Sequence, residues 1–82
     1  IWRCVEDAAF PQAIEELATQ LAAAPTRGLA RTKQALYESW GRPLATQLDI
    51  ERDIQSRLGF THDYIEGVTA FLQKRPARFK GT

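Results

Sequence analysis

Apolar residues recur every three or four positions along most of the chain, which is the spacing that lets an α-helix bury one face. Each run ends near a proline, a glycine or a residue that can cap a helix, so the pattern predicts four helices joined by short turns. No run shows the period-two alternation of a half-buried strand, and the predicted fold class is all-α. The predicted helices cover about residues 11–24, 26–41, 43–58 and 61–76.

The first residues depart from this pattern. Residues 1–6 (IWRCVE) contain Ile, Trp and Val and end at Asp7, which indicates the tail of a β-strand. No other segment of the sequence predicts a strand that could pair with it. We therefore expect this strand to have its partners outside the chain.

The size of the chain limits the core that it can form. A domain of 82 residues buries only about 60% of its unfolded surface, so association is the expected support. Cys4 is the single cysteine and His62 the single histidine, which excludes an internal disulfide and argues against a metal site. No apolar run approaches the roughly 20 residues of a membrane span. A lone thiol suits a reducing compartment, and we expect a cytoplasmic protein.

Basic residues are concentrated at the C-terminal end. Residues 67–82 contain four cations and no acid, although the net charge of the chain is only +1. Such a short basic end predicts a local anion site and not the broad basic face of a nucleic-acid-binding protein. Two interpretations remain open: a solvated tail that complements the helix dipole, or a site for a phosphorylated ligand with a purine ring. The residues concerned are Phe71, Lys74, Arg75, Arg78, Phe79 and Lys80.

Polar residues interrupt the predicted apolar stripes of the second and third helices. They are Lys33, Glu51 and Gln55. Because a buried ammonium or carboxylate needs a charged partner, we predict an ion pair between Lys33 and Glu51. The pair would form across these two helices or across a subunit boundary, with Gln55 hydrogen-bonded nearby. A structural role is favoured over a catalytic one, since structural ion pairs also fix charges.

The fourth predicted helix carries other candidates for chemistry. Asp63 and Glu66 lie in its first turns, where negative charge complements the helix dipole, and His62 has no second metal ligand or nucleophile beside it. Gly67, one turn inside the helix, predicts the close approach of another element. Cys4 is expected to be packed and not reactive. Without a phosphate loop, a zinc motif or a nucleophile elbow, the residues alone indicate a helical interaction segment.

Three runs of the sequence carry a resemblance to a known family: AIEELATQLAAAPTRGLARTKQAL, LATQLDIERDIQ and DYIEGVTAFLQKRPARFKG. In this order and spacing they resemble the C-terminal part of the enoyl-CoA hydratase/isomerase (crotonase) family, and the likeness spans the whole chain. IWRCVED at the beginning resembles the strand that ends the family's spiral core. Within the family, the last two runs are most similar to the ring-epoxide isomerase branch of phenylacetate degradation.

The resemblance implies an organisation for the chain. Residues 1–10 would be the end of the missing spiral core, as strand and linker, and residues 11–82 the C-terminal helical oligomerisation region. The family's ββα spiral carries the oxyanion hole and the acidic catalytic residues. These would precede Ile1, so we expect no catalytic residue in this chain and no turnover by it alone.

The resemblance also implies ligands and partners. Positions that match Phe71 and Lys74 contact coenzyme A in hydratase relatives, whereas Gln55 stands where some hydratases place a further aromatic contact. The implied substrate is an acyl-CoA thioester, with no covalently bound cofactor. The implied assembly is a homo-oligomer, trimer-based in the full-length enzyme and a dimer or larger for this segment. The alternative is a free-standing helical module that binds protein or an acidic ligand through its basic end.

Overall fold

The computed structural model describes residues 2–82 and is all-helical over that range. The predicted fold class is therefore confirmed, with four α-helices preceded by one short 3-10 helix. None of these helices is long and apolar enough to cross a membrane. The elements are the 3-10 helix Asp7–Ala9, α1 (Phe10–Ala22), α2 (Thr26–Glu38), α3 (Leu44–Leu58) and α4 (His62–Leu72).

The helix boundaries agree with the predicted breaks to within a few residues. Thr61 caps α4 as predicted: its hydroxyl oxygen accepts the Tyr64 N–H at 3.2 Å, and its O–H donates to the Leu58 carbonyl at 2.6 Å. Thr26, in contrast, is the first residue of α2 and not its cap. This helix ends at Glu38, three residues before Gly41. Gly41 has a φ of +75° and lies in the turn between α2 and α3.

The predicted strand at the beginning of the chain is not formed within residues 2–6, and Ile1 lies outside the described residues. A strand needs a neighbour to accept and donate its backbone hydrogen bonds, and the described part of the chain contains no other strand. Trp2 is 79% exposed as a result. Cys4 is exposed too, so the expectation that it is packed is wrong for this chain.

The helices do not enclose a core. The molecule measures 46 × 38 × 19 Å, and its radius of gyration is 16.1 Å, whereas a compact domain of this length has about 12 Å. Only Ala70 and Asp63 are buried among residues 2–82. The apolar stripes of all four helices are open to solvent, and their exposed members include Ile14, Leu21, Leu36, Trp40, Leu44, Leu48, Val68 and Phe71.

The cap at Thr61 gives a test of how α4 begins. Because Thr61→Ala removes the acceptor of the Tyr64 N–H, we expect the first turn of α4 to open more easily by about 1 kcal/mol. Amide hydrogen exchange at Tyr64 would then be roughly fivefold faster. Thr61→Ser keeps the hydroxyl and is the matched control. Equal exchange rates in the Ala and Ser variants would contradict the assigned cap.

Candidate functional site

The C-terminal tail, residues 76–82, folds back along α4 to the beginning of that helix. Asp63 lies in the first turn of α4, and its carboxylate accepts the backbone N–H of Lys80 at 2.7 Å and of Gly81 at 2.8 Å. The Asp63 N–H in turn donates to the Thr82 carbonyl at 3.0 Å. Since the residue is only 4% exposed, these bonds are shielded from water. The far end of the tail is thereby fixed to the N-terminus of α4.

A second carboxylate holds the near end of the tail. Glu66 accepts two hydrogen bonds from the Arg75 guanidinium, at 2.7 and 2.9 Å, and a third from the Arg78 backbone N–H at 2.8 Å. Arg75 also donates to the Gln73 side chain at 2.8 Å and to the Pro76 carbonyl at 3.1 Å. A bidentate Arg–carboxylate pair is geometrically specific. The chain on either side of Pro76 is therefore tied to one point on α4.

These hydrogen bonds stabilise the ionised carboxylates. Arg75 above all, and then the Arg78 N–H, lowers the pKa of Glu66 to about 2. The Lys80 N–H is the largest cause of the lowered pKa of Asp63, followed by the Gly81 N–H and His62, whose Nδ1 lies 3.5 Å from the carboxylate. Groups with lowered pKa values stabilise the folded state at pH values above their ordinary pKa and lose that effect as the pH falls.

Helix α4 ends in a turn that presents Lys74. The Lys74 N–H donates to the Phe71 carbonyl at 3.2 Å and the Arg75 N–H to the Ala70 carbonyl at 3.0 Å, which is the Schellman pattern of a helix C-terminus. Lys74 has a φ of +53°, in the left-handed region that glycine usually occupies. Such a conformation costs a lysine about 1 kcal/mol or more. The exposed Lys74 and the 82% exposed Phe71 thus lie together at the end of α4.

An apolar groove runs beside this turn. It has a volume of about 480 Å³, and its lining includes Gly67, Val68, Phe71, Leu72 and Phe79. The Phe79 ring is the element that approaches Gly67, but it would still leave a Cβ there at an ordinary distance of 3.6 Å. The close approach of another element that was predicted at Gly67 is therefore not found within residues 2–82, because a Cβ would fit beside the Phe79 ring.

The tail also reaches the beginning of α2. Gly81 has a φ of +74°, and a Cβ at this position would lie 2.5 Å from the hydroxyl oxygen of Thr26. Both the backbone conformation and the lack of space require glycine here. The tail thus connects α2 to α4 through its last residues.

The ion pair predicted between Lys33 and Glu51 is not formed within residues 2–82. The Lys33 ammonium lies 5.5 Å from the centre of the Tyr37 ring, and Glu51 accepts a hydrogen bond from Gln47 at 2.8 Å. Both residues are exposed, so neither charge needs a partner to offset desolvation. The form of the pair that crosses a subunit boundary remains a prediction, as does the hydrogen bond of Gln55.

The hydrogen bonds of Asp63 and Glu66 to the tail were not predicted from the sequence. A favourable interaction with the helix dipole was enough to explain why two acids lie at the beginning of α4. A usable signal existed: two acids one turn apart precede residues 67–82, which contain four cations and no acid. The sequence did place Phe71 and Lys74 near the cations of the tail. Across residues 2–82 no three His, Cys, Asp or Glu side chains are grouped closely enough to hold a metal ion.

The chain is similar to acyl-CoA enzymes over nearly all of its length, although no family model matches it. It is 46% identical to 1,2-epoxyphenylacetyl-CoA isomerase of Escherichia coli (strain K12). The 81 aligned residues make up 99% of this chain and 31% of that protein. It is 40% identical to a probable enoyl-CoA hydratase of Rhodobacter capsulatus, covering 99% of this chain and 32% of that one.

A solved structure gives the same result. The crystal structure of a putative enoyl-CoA hydratase from Streptomyces coelicolor A3(2) matches the whole chain with a TM-score of 0.92 and 32% identity, over 30% of that protein. The chain therefore belongs to the enoyl-CoA hydratase/isomerase (crotonase) family, and it spans about a third of the length of these relatives. Its four helices match a part of the crotonase fold.

The pKa of Glu66 provides a direct test of the contacts to the tail. A carbon-13 NMR titration of the Glu66 carboxyl is expected to give a pKa of about 2. Arg75→Gln removes the largest cause of this low pKa, so the midpoint should rise toward the ordinary glutamate value of 4.5. The stabilising effect of this ionised carboxyl is complete above pH 4.5 and disappears as the pH falls toward 2. An unchanged midpoint in Arg75→Gln would contradict the assigned ion pair.

Proposed function

We propose that this chain is the C-terminal helical region of an enzyme that acts on acyl-CoA thioesters. The observation that supports this most directly is the 46% identity to 1,2-epoxyphenylacetyl-CoA isomerase across 99% of the chain. On this basis the full-length protein is a cytoplasmic isomerase of phenylacetate degradation, whose catalytic residues lie in the part preceding Ile1. The 82-residue chain alone then lacks the oxyanion donors and does not turn over acyl-CoA.

The end of α4 is the proposed contact with coenzyme A. Phe71 offers an exposed aromatic face to a purine ring, and Lys74 offers an ammonium to a phosphate group. The apolar groove beside them, which Phe71 and Phe79 line, can take the less polar parts of the ligand. The cost of the left-handed conformation at Lys74 supports a role for this residue beyond packing, since strain of this kind clusters at ligand sites.

The second proposed role is oligomerisation. The apolar stripes of α1 to α4 are exposed. A contiguous exposed apolar patch on a protein usually marks a site where another protein surface binds. In the full-length enzyme these helices would pack on the catalytic core and on neighbouring subunits in a trimer-based assembly. They would also help to close the acyl-CoA site.

A free-standing module with an anion-binding tail is the alternative. Arg75, one of the four cations at the C-terminal end, already has its charge satisfied by Glu66, which leaves fewer donors for an acidic partner. The coding sequence that precedes Ile1 distinguishes the two functions. A spiral-core sequence there supports the enzyme, and a start codon directly before Ile1 would exclude it.

Replacing the two proposed ligand contacts tests the coenzyme A site. In the full-length enzyme, we expect Lys74→Ala and Phe71→Ala each to weaken coenzyme A binding about tenfold, equivalent to about 1.4 kcal/mol. Titration calorimetry with coenzyme A measures this. Arg52→Ala removes an exposed cation from α3, where Arg52 pairs with Asp49 and Asp53, and is the matched control. The same affinity in all three variants and the wild type would argue against the site.

The isolated chain tests the role in assembly. Because its helix faces are uncovered, we expect the purified 82-residue chain to form dimers or larger species in solution. Analytical ultracentrifugation gives the mass. Leu36→Lys places a charge on one exposed stripe and should shift the distribution toward the monomer, whereas Arg52→Lys on a solvated face should not. A monomer for the unmodified chain would count against association through these faces.

A further inference from the structure

Lys74 stands between two residues that are held in place from elsewhere in the molecule. Its neighbours Gln73 and Arg75 are joined by a 2.8 Å hydrogen bond between their side chains. The Arg75 guanidinium is fixed in turn by the two oxygens of Glu66, nine residues earlier on α4. The direction in which the chain leaves α4 at Lys74 therefore depends on a carboxylate two turns back along the helix.

The conformation of Lys74 needs such support. A lysine with a φ of +53° has more favourable conformations available, and without constraint the turn would relax into them. Glu66 opposes this relaxation from the far side of the turn as well, because it accepts the Arg78 N–H at 2.8 Å. One side chain thus fixes the segment that follows Lys74 at two points.

We propose that Glu66 is a positioning residue for the coenzyme A contact: through Arg75 and Arg78 it holds the turn after α4 so that the Lys74 ammonium is directed at a phosphate group of the ligand. Glu66 itself does not touch the ligand, since a carboxylate would repel a phosphate. This inference rests on the proposed function, because it assumes that the ligand of Lys74 is coenzyme A.

The structural half of the inference can be tested without any ligand. In the full-length enzyme, Glu66→Gln should increase the amide exchange rate of Arg78 about tenfold, because the neutral amide loses the charge-assisted bonds to the tail. Glu15→Gln is the matched control: it removes one exposed carboxylate from α1 and should leave the rate at Arg78 unchanged. An unaltered rate in Glu66→Gln would overturn the inference.

A double-mutant cycle tests the link to Lys74. Titration calorimetry with coenzyme A should show about tenfold weaker binding for Glu66→Gln, and no further loss when Glu66→Gln is added to Lys74→Ala. Pantetheine, which lacks the phosphorylated nucleotide, should bind the wild type and Glu66→Gln equally. A purely structural role would instead weaken both ligands and act additively with Lys74→Ala, and that result would overturn the inference.

The remaining outcomes separate this inference from the function on which it rests. If coenzyme A does not bind the wild type, the proposed function fails and the inference fails with it. If Lys74→Ala weakens binding but Glu66→Gln does not, only the inference fails. Arg75→Lys keeps the positive charge but loses the bidentate geometry, so it should also weaken coenzyme A binding. This variant replaces Glu66→Gln in the binding test if Glu66→Gln does not fold.

Discussion

Two carboxylates on the first turns of α4 determine where the last residues of this chain lie. Asp63 accepts the backbone N–H groups of Lys80 and Gly81, and Glu66 accepts Arg75 and the Arg78 N–H. The rest of the described structure has little to replace these contacts, because the helices leave their apolar stripes exposed and only two residues are buried. One of these two is Asp63 itself, so polar anchoring and burial coincide at the same place.

This arrangement gives the chain one end with a defined geometry and several surfaces that need a partner. The fixed end contains the turn with Lys74, the exposed ring of Phe71 and the groove beside them. The uncovered surfaces are the apolar stripes, which the extended shape leaves without a common core. If the chain has the function proposed above, the two properties are complementary: the catalytic core and neighbouring subunits would cover the stripes, while the fixed turn would face the nucleotide part of coenzyme A.

The sequence was sufficient for the fold class and the helix positions, because helical periodicity and breaks such as Pro25 and Gly59 are local signals. It was sufficient for the Thr61 cap for the same reason. The strand that was expected to pair outside the chain is not formed within residues 2–6. The sequence failed where the outcome depends on residues distant in sequence, since Lys33 does not meet Glu51 within residues 2–82. The folded-back tail was also missed, because the bonds of Asp63 span 17 and 18 residues and go to backbone N–H groups, which any sequence supplies.

Asp63 and Glu66 hold the tail on α4 through hydrogen bonds and an ion pair. Amide hydrogen exchange of the unmodified protein at pH 7 tests it most directly. The backbone N–H groups of Arg78, Lys80 and Gly81 should be protected to the same degree as those in the middle of α4. Exchange of these three groups at the rate of an unstructured peptide, with α4 still protected, would contradict it.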